Sequence, residues 1–177
     1  MDFKNDSSRM LFLKYALPCA GTLVKRGSVS NKLIEKSVRN LSLNRKLNGH
    51  PEKFFKIAYA MCEKIAGRTS KKFIDKNVVR RYFLFEHDKV VDSRYEEFKD
   101  FNPLQCRVFS GKILKIRNKE ALIKTIIGSK KYRTNFIQKL RIGDYVVVHR
   151  NFVVEKISES MFKKLWKLKE NYFKSGS

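Results

Sequence analysis

The 177-residue chain carries 40 Lys and Arg against 17 Asp and Glu, a formal net charge of +23, while 42 % of its residues are hydrophobic. That apolar content is enough for a core and excludes global disorder, and no apolar run approaches the length of a bilayer span. The charge is spread along the chain, about +7, +3, +10 and +3 over residues 1–50, 51–100, 101–150 and 151–177, so a phosphate-bearing or acidic protein partner is one reading and a lysine-rich, solvated surface is the other.

Residues 1–6 read as a frayed start. The apolar patch Met10–Ala20 follows two acids, Asp2 and Asp6, and is interrupted by Lys14. A secretory signal has a basic start and a clean apolar centre, so the expected location is cytoplasmic. Three widely spaced cysteines, Cys19, Cys62 and Cys106, cannot all pair, and no Cys-x-x-Cys motif offers a closed zinc site.

The spacing predicts a helix from Ser8 to about Lys25, broken at Pro18, and another capped by Ser30. A third begins at Pro51, with Phe54, Ile57, Ala58, Met61 and Ile65 on one face and Gly67 at its end. Ser70 opens a fourth, along which Ile74, Val78, Tyr82 and Phe85 recur at helical intervals. Residues 92–103 read as a linker. Cys19 and Cys62 fall in apolar helices and are expected in the core. Glu86-His87-Asp88 is expected at the surface, because adjacent residues on a helix do not face one another.

After Pro103 the period changes from 3.6 toward 2. Runs around Val108, Leu114–Ile116, Leu122–Ile127 and Tyr132–Phe136 read as strands, with breaks at Asn118 and Gly128-Ser129. Tyr145–Val154 reads as one long strand, the strongest in the chain. Ser158 then caps a terminal helix with Glu159 in its first turn and lysines beyond. The expected fold is therefore α+β: a helical domain over 1–100, then a small OB-like β-barrel with a C-terminal helix over 104–174.

Within 104–174, Cys106, Gly111-Lys112-Ile113, Gly143-Asp144, Val146, Val148-His149 and Phe152 fall in the order of a known pattern. A cysteine opens the domain, a Gly-Lys-Ile element follows, and a Gly-Asp-x-Val-x-Val-His strand precedes the closing helix. This resembles the HypC/HupF family of hydrogenase-maturation chaperones over about 70 residues. The resemblance implies a non-catalytic chaperone that binds a protein partner, either an iron scaffold protein or a hydrogenase large-subunit precursor. It implies a transient iron cargo, with Cys106 contacting the partner and helping to hold the metal. His149 matches the family's histidine and would be a second ligand. Cys106, Arg107, Gly111 and Phe152 are the expected partner-binding set, with Arg107 favouring the thiolate. Two departures stand out: the family's cysteine follows the initiator methionine, whereas Cys106 is internal, and the glycine expected after the histidine is here Asn151, beyond Arg150.

Buried structural roles compete for both candidates, since free cysteine and strand-closing histidine are often core residues. A second function class also competes. Small barrels often bind single-stranded nucleic acid, and Arg117, Lys119, Lys130, Lys131 and Arg133 would track phosphates, with Phe109, Tyr132, Phe136, Tyr145 and Phe152 offering rings. No phosphate loop, nucleophile elbow or Glu-x-x-His pattern is present, and acids in the barrel region are few, so no enzyme is expected.

Overall fold

The computed structural model describes residues 1–45, 47, 49–99 and 101–175. The chain divides into two compact units, Met1–Cys106 and Arg107–Ser177. The first is helical; the second is a five-stranded sheet with a terminal helix. Among the described residues no helix is long and apolar enough to cross a membrane.

In the first unit the helices are α1 (Asp6–Ala16), α2 (Ala20–Lys25), α3 (Asn31–Ser42), α4 (Lys56–Arg68), α5 (Lys76–Arg81), α6 (His87–Phe98) and α7 (Pro103–Cys106). The start of the chain is not frayed. Phe3 forms a parallel bridge with Ile74, fixed by Lys4 N–H to Ile74 O at 2.9 Å and Ile74 N–H to Asp2 O at 2.9 Å. Asn5 then caps α1 by accepting from Ser8 N–H at 3.0 Å, so the helix begins two residues before the expected Ser8. Pro18 sits in a short 3-10 turn between α1 and α2, where its missing N–H costs nothing. Ser30 caps α3 as expected.

Three other boundaries differ. Pro51 opens a 3-10 turn, Pro51–Phe54, and α4 starts only at Lys56. Gly67 lies inside α4 rather than ending it. The next helix is capped by Asp75, not Ser70: its Oδ1 accepts from Val78 N–H at 2.9 Å. The expected linker over 92–103 is mostly helix, with α6 continuing to Phe98 and α7 starting at Pro103.

Between α5 and α6 the chain makes a π-helical turn, Tyr82–Glu86. Its Tyr82, Phe83 and Leu84 all go inside, at 2, 2 and 4 % exposure. Phe83 is the hub: it stacks on Tyr15 at 4.8 Å and meets Phe12 at 5.8 Å. His87 is buried against Tyr82 and Phe83, with ring centroids 5.6 and 5.5 Å away. That corrects its expected surface position.

In the second unit the strands are β1 (Val108–Arg117), β2 (Glu120–Thr125), β3 (Gly128–Arg133), β4 (Tyr145–His149) and β5 (Phe152–Ile157), followed by helix α8 (Glu159–Ser175). Their order is β1-β2-β3-β5-β4, and β4 pairs back to β1, so the sheet closes on itself. Three hairpins have two-residue loops; the first falls at the expected break, Asn118, and the other two differ from the sequence reading. Asn118-Lys119 joins β1 to β2, with Asn118 in the left-handed region at φ +55°, which asparagine tolerates. The next turn is Ile126-Ile127, not Gly128-Ser129, and Gly128 begins β3 at φ +111°. The expected strand Tyr132–Phe136 is therefore displaced to Gly128–Arg133. The long strand Tyr145–Val154 is two strands: Arg150 turns the chain at φ +52° and His149 pairs with Phe152 across the loop.

The interior is lined by Phe109, Ile113, Ala121, Ile123, Tyr132, Val146, Val148 and Val153. Phe173 of α8 packs on this cluster and stacks on Phe109 at 6.4 Å.

Candidate functional site

Cys106 is the last residue of α7 and of the first unit. The short helix is opened by Asn102, whose side-chain oxygen accepts from Leu104 N–H at 2.9 Å. Cys106 is 8 % exposed, and it lines a cavity of about 640 Å³ together with Cys19, Tyr82, His87, Phe55 and Arg94. Its thiol is thus neither a surface group nor a sealed core group. Cys19 and His87 are the residues the sequence reading missed here. They come from segments far apart in the chain, and no spacing rule joins them. Cys62 is different: it is fully buried, and burial pushes its thiol well above the usual range, as expected for a structural cysteine.

His149 closes β4 in the second unit. It pairs with Val108 on β1 and Phe152 on β5, and is 1 % exposed. Val146 and Val148 point into the sheet interior, so alternation puts His149, Val147 and Tyr145 on the other face. Cys106 and His149 therefore belong to different units. Among the described residues, no three His, Cys, Asp or Glu side chains come together in a group able to hold a metal ion.

Arg107 is held by α8. Its Nη2 donates to the Tyr172 hydroxyl at 2.6 Å, and its guanidinium lies 4.6 Å from the Tyr172 ring centre. Gly111 sits where β1 meets β2 and β4. A Cβ placed there would lie 2.5 Å from Ile123 Cγ2 and 2.9 Å from the Lys124 carbonyl oxygen, so glycine is required by close approach. Phe152 is half-buried and stacks on Phe136 at 4.9 Å.

The Gly143-Asp144 element has a local explanation. Gly143 takes φ +90° and its N–H donates to Ile113 O at 2.9 Å, while Ile113 N–H donates to Asp144 O at 3.0 Å. The loop is thereby docked on β1 before β4 begins. Partial burial pushes the Asp144 carboxyl up, but the Lys156 ammonium at 2.7 Å and the Arg141 N–H at 2.8 Å outweigh it and hold the group below the usual aspartate range. A depressed folded-state value means the unfolded chain takes up the proton first. The stabilisation is therefore present above about pH 3.9, and is lost as pH falls through the folded value. Asp144→Asn should lower the urea midpoint at pH 7, and the gap to wild type should narrow progressively below about pH 4; an unchanged gap would assign the loss to geometry alone.

Of the candidate phosphate contacts, Arg117 ends β1, Lys119 is in the following loop, and Lys130, Lys131 and Arg133 lie on β3; all are exposed. Lys130 Nζ donates to Asn151 Oδ1 at 3.0 Å, and the Arg133 guanidinium lies 5.7 Å from the Phe152 ring centre. The rings proposed for stacking fare less well. Phe109, Tyr132 and Phe136 are each 3 % exposed, and Tyr145 is stacked on Phe162 at 4.6 Å.

No curated protein matches the chain. Residues 106–168, beginning at Cys106 itself, match the model of the HupF/HypC family, so the C-terminal region of this chain is similar to that family while the helical half that precedes it matches none.

Proposed function

We propose that the protein is a HypC-like assembly chaperone that works by binding a partner protein in hydrogenase maturation. Its second unit is read as an OB-like barrel that presents a family surface, and the chain is read as non-catalytic and cytoplasmic. The observation that carries this reading is the family match over 106–168, which opens on a cysteine lining a cavity. A partly enclosed thiol suits transfer chemistry better than a surface one, since a soft ligand shielded from bulk water keeps its cargo from exchange.

In the finer form of the proposal, the cargo is an iron centre passed between an iron scaffold protein and a hydrogenase large-subunit precursor. Cys106 is its sulfur handle. His149, 1 % exposed and paired on both sides within β4, is the second ligand that the family pattern implies, and it reaches a metal only through local rearrangement of its strand. With fewer than three ligating groups clustered among the described residues, the rest of the coordination comes from the cargo and the partner. This favours transient holding over a resident site.

The test is anaerobic iron loading, and recovery of the bound partner, with wild type and Cys106→Ala. At least a tenfold loss of bound iron is expected, with the thermal melt unchanged. Equal iron content in the two proteins would remove the iron role.

A further inference from the structure

A second site lies on the opposite kind of surface, in a cleft of about 580 Å³ between α8 and the outer face of β1 and β2. Five of its nine lining residues are lysines: Lys112, Lys124, Lys163, Lys167 and Lys174. Lys112 and Lys124 are direct cross-strand partners, an arrangement in which like charges repel and weaken the sheet. Glu170, the acidic lining residue, accepts from the Trp166 indole N–H at 3.0 Å. Lys163 is offset by Glu159 at 2.8 Å. The remaining positive charge converges on one concave face.

That face also has rings. Tyr145, Phe162 and Trp166 form a ladder, with centroids 4.6 and 5.3 Å apart in succession. Phe162 and the half-buried Trp166 line the cleft, and the Glu170 bond fixes the indole plane. From Lys163 to Lys174 the helix advances about 16 Å. A mononucleotide is too short to engage lysines over that distance, whereas a strand of about five stacked nucleotides spans it.

We infer that this cleft binds single-stranded nucleic acid, with bases against Trp166 and Phe162 and phosphates along the α8 and β1–β2 lysines. It is distinct from Arg117, Lys119, Lys130, Lys131 and Arg133, and it does not depend on the chaperone reading. An acidic protein segment would satisfy the lysines but would leave the ring ladder without a role.

Fluorescence anisotropy of the full chain with a labelled dT12 or rU12 strand tests it. Neutralising about four phosphates, with Lys163 already paired to Glu159, predicts a slope of log affinity against log salt near −3. Lys112→Gln with Lys124→Gln, both at exposed positions, should flatten the slope by about 1.4. Trp166→Ala should weaken binding about tenfold or more, and the strand should quench Trp166 fluorescence in the wild type. Lys131→Gln with Arg133→Gln should change little. The inference is overturned by absent binding at 50 mM salt, by a slope that the Lys112/Lys124 pair does not alter, by loss of binding only in the Lys131/Arg133 pair, or by a decaglutamate peptide that competes as well as the strand.

Discussion

Gly111→Ala is expected to destabilise the second unit by about 3 kcal/mol, the upper end for overpacking. The added methyl would meet Ile123 Cγ2 at 2.5 Å and the Lys124 carbonyl at 2.9 Å. Ile123 is fully buried, so its side chain has no free volume to enter. The carbonyl belongs to the paired backbone of β2, with Gly111 opposite Thr125 on one side and Val146 on the other. Relief requires β1 to separate from β2, in a closed sheet that transmits the shift to β4. Urea unfolding followed by Trp166 fluorescence reports the second unit directly. A midpoint within experimental error of wild type would show that the strands part more easily than this geometry allows.

The other large effect is expected in the first unit. Arg9 Nε lies 2.8 Å from Glu52 Oε2, and the arginine also donates to the carbonyls of Leu47, at 3.1 Å, and Gly49. Glu52 is 4 % exposed. Among the described residues, Arg9→Ala leaves that carboxylate enclosed with only His50 Nδ1, at 2.9 Å on the other oxygen. Removing one member of a buried pair costs about 3–5 kcal/mol, and the retained histidine contact places this case near 3. The double variant Arg9→Leu with Glu52→Leu should recover much of the loss, because an apolar pair needs no counter-charge. Thermal unfolding by circular dichroism separates the outcomes; a double variant no better than the single would assign the loss to the Leu47 and Gly49 carbonyls instead.

What was legible in the sequence was what local patterning controls. The change of period after Pro103, the Ser30 cap and the Ser158 cap that opens α8 are set by neighbours three or four residues away. The order of Gly111, Gly143-Asp144 and His149 pointed to a family, and the match over 106–168 agrees. Local patterning could not show a turn made from residues that do not look like turns. Arg150 and the Ile126-Ile127 pair carry no glycine or proline, and the sheet imposes their conformations. Nor could it show Tyr82–Glu86, because a helical wheel assumes one turn width and a π-turn breaks it. The acids of 92–98 suggested a solvated linker, yet a helix exposed along most of its length has the same composition. The cavity at Cys106 was invisible for another reason: Cys19, His87 and Cys106 meet only after the chain has folded.

Closure of the sheet has an uneven strength. β3 and β5 are joined through one parallel residue pair, Arg133 with Phe152, supported by Arg133 N–H to Asn151 O at 2.8 Å, whereas every other seam is a ladder of five or six pairs. Fluctuations that breach the cylinder will start along this zipper's weakest tooth, so deuterium should enter the amides of β3 long before those of β4. The Asn151 loop, where the family pattern has glycine, is the latch on that gate.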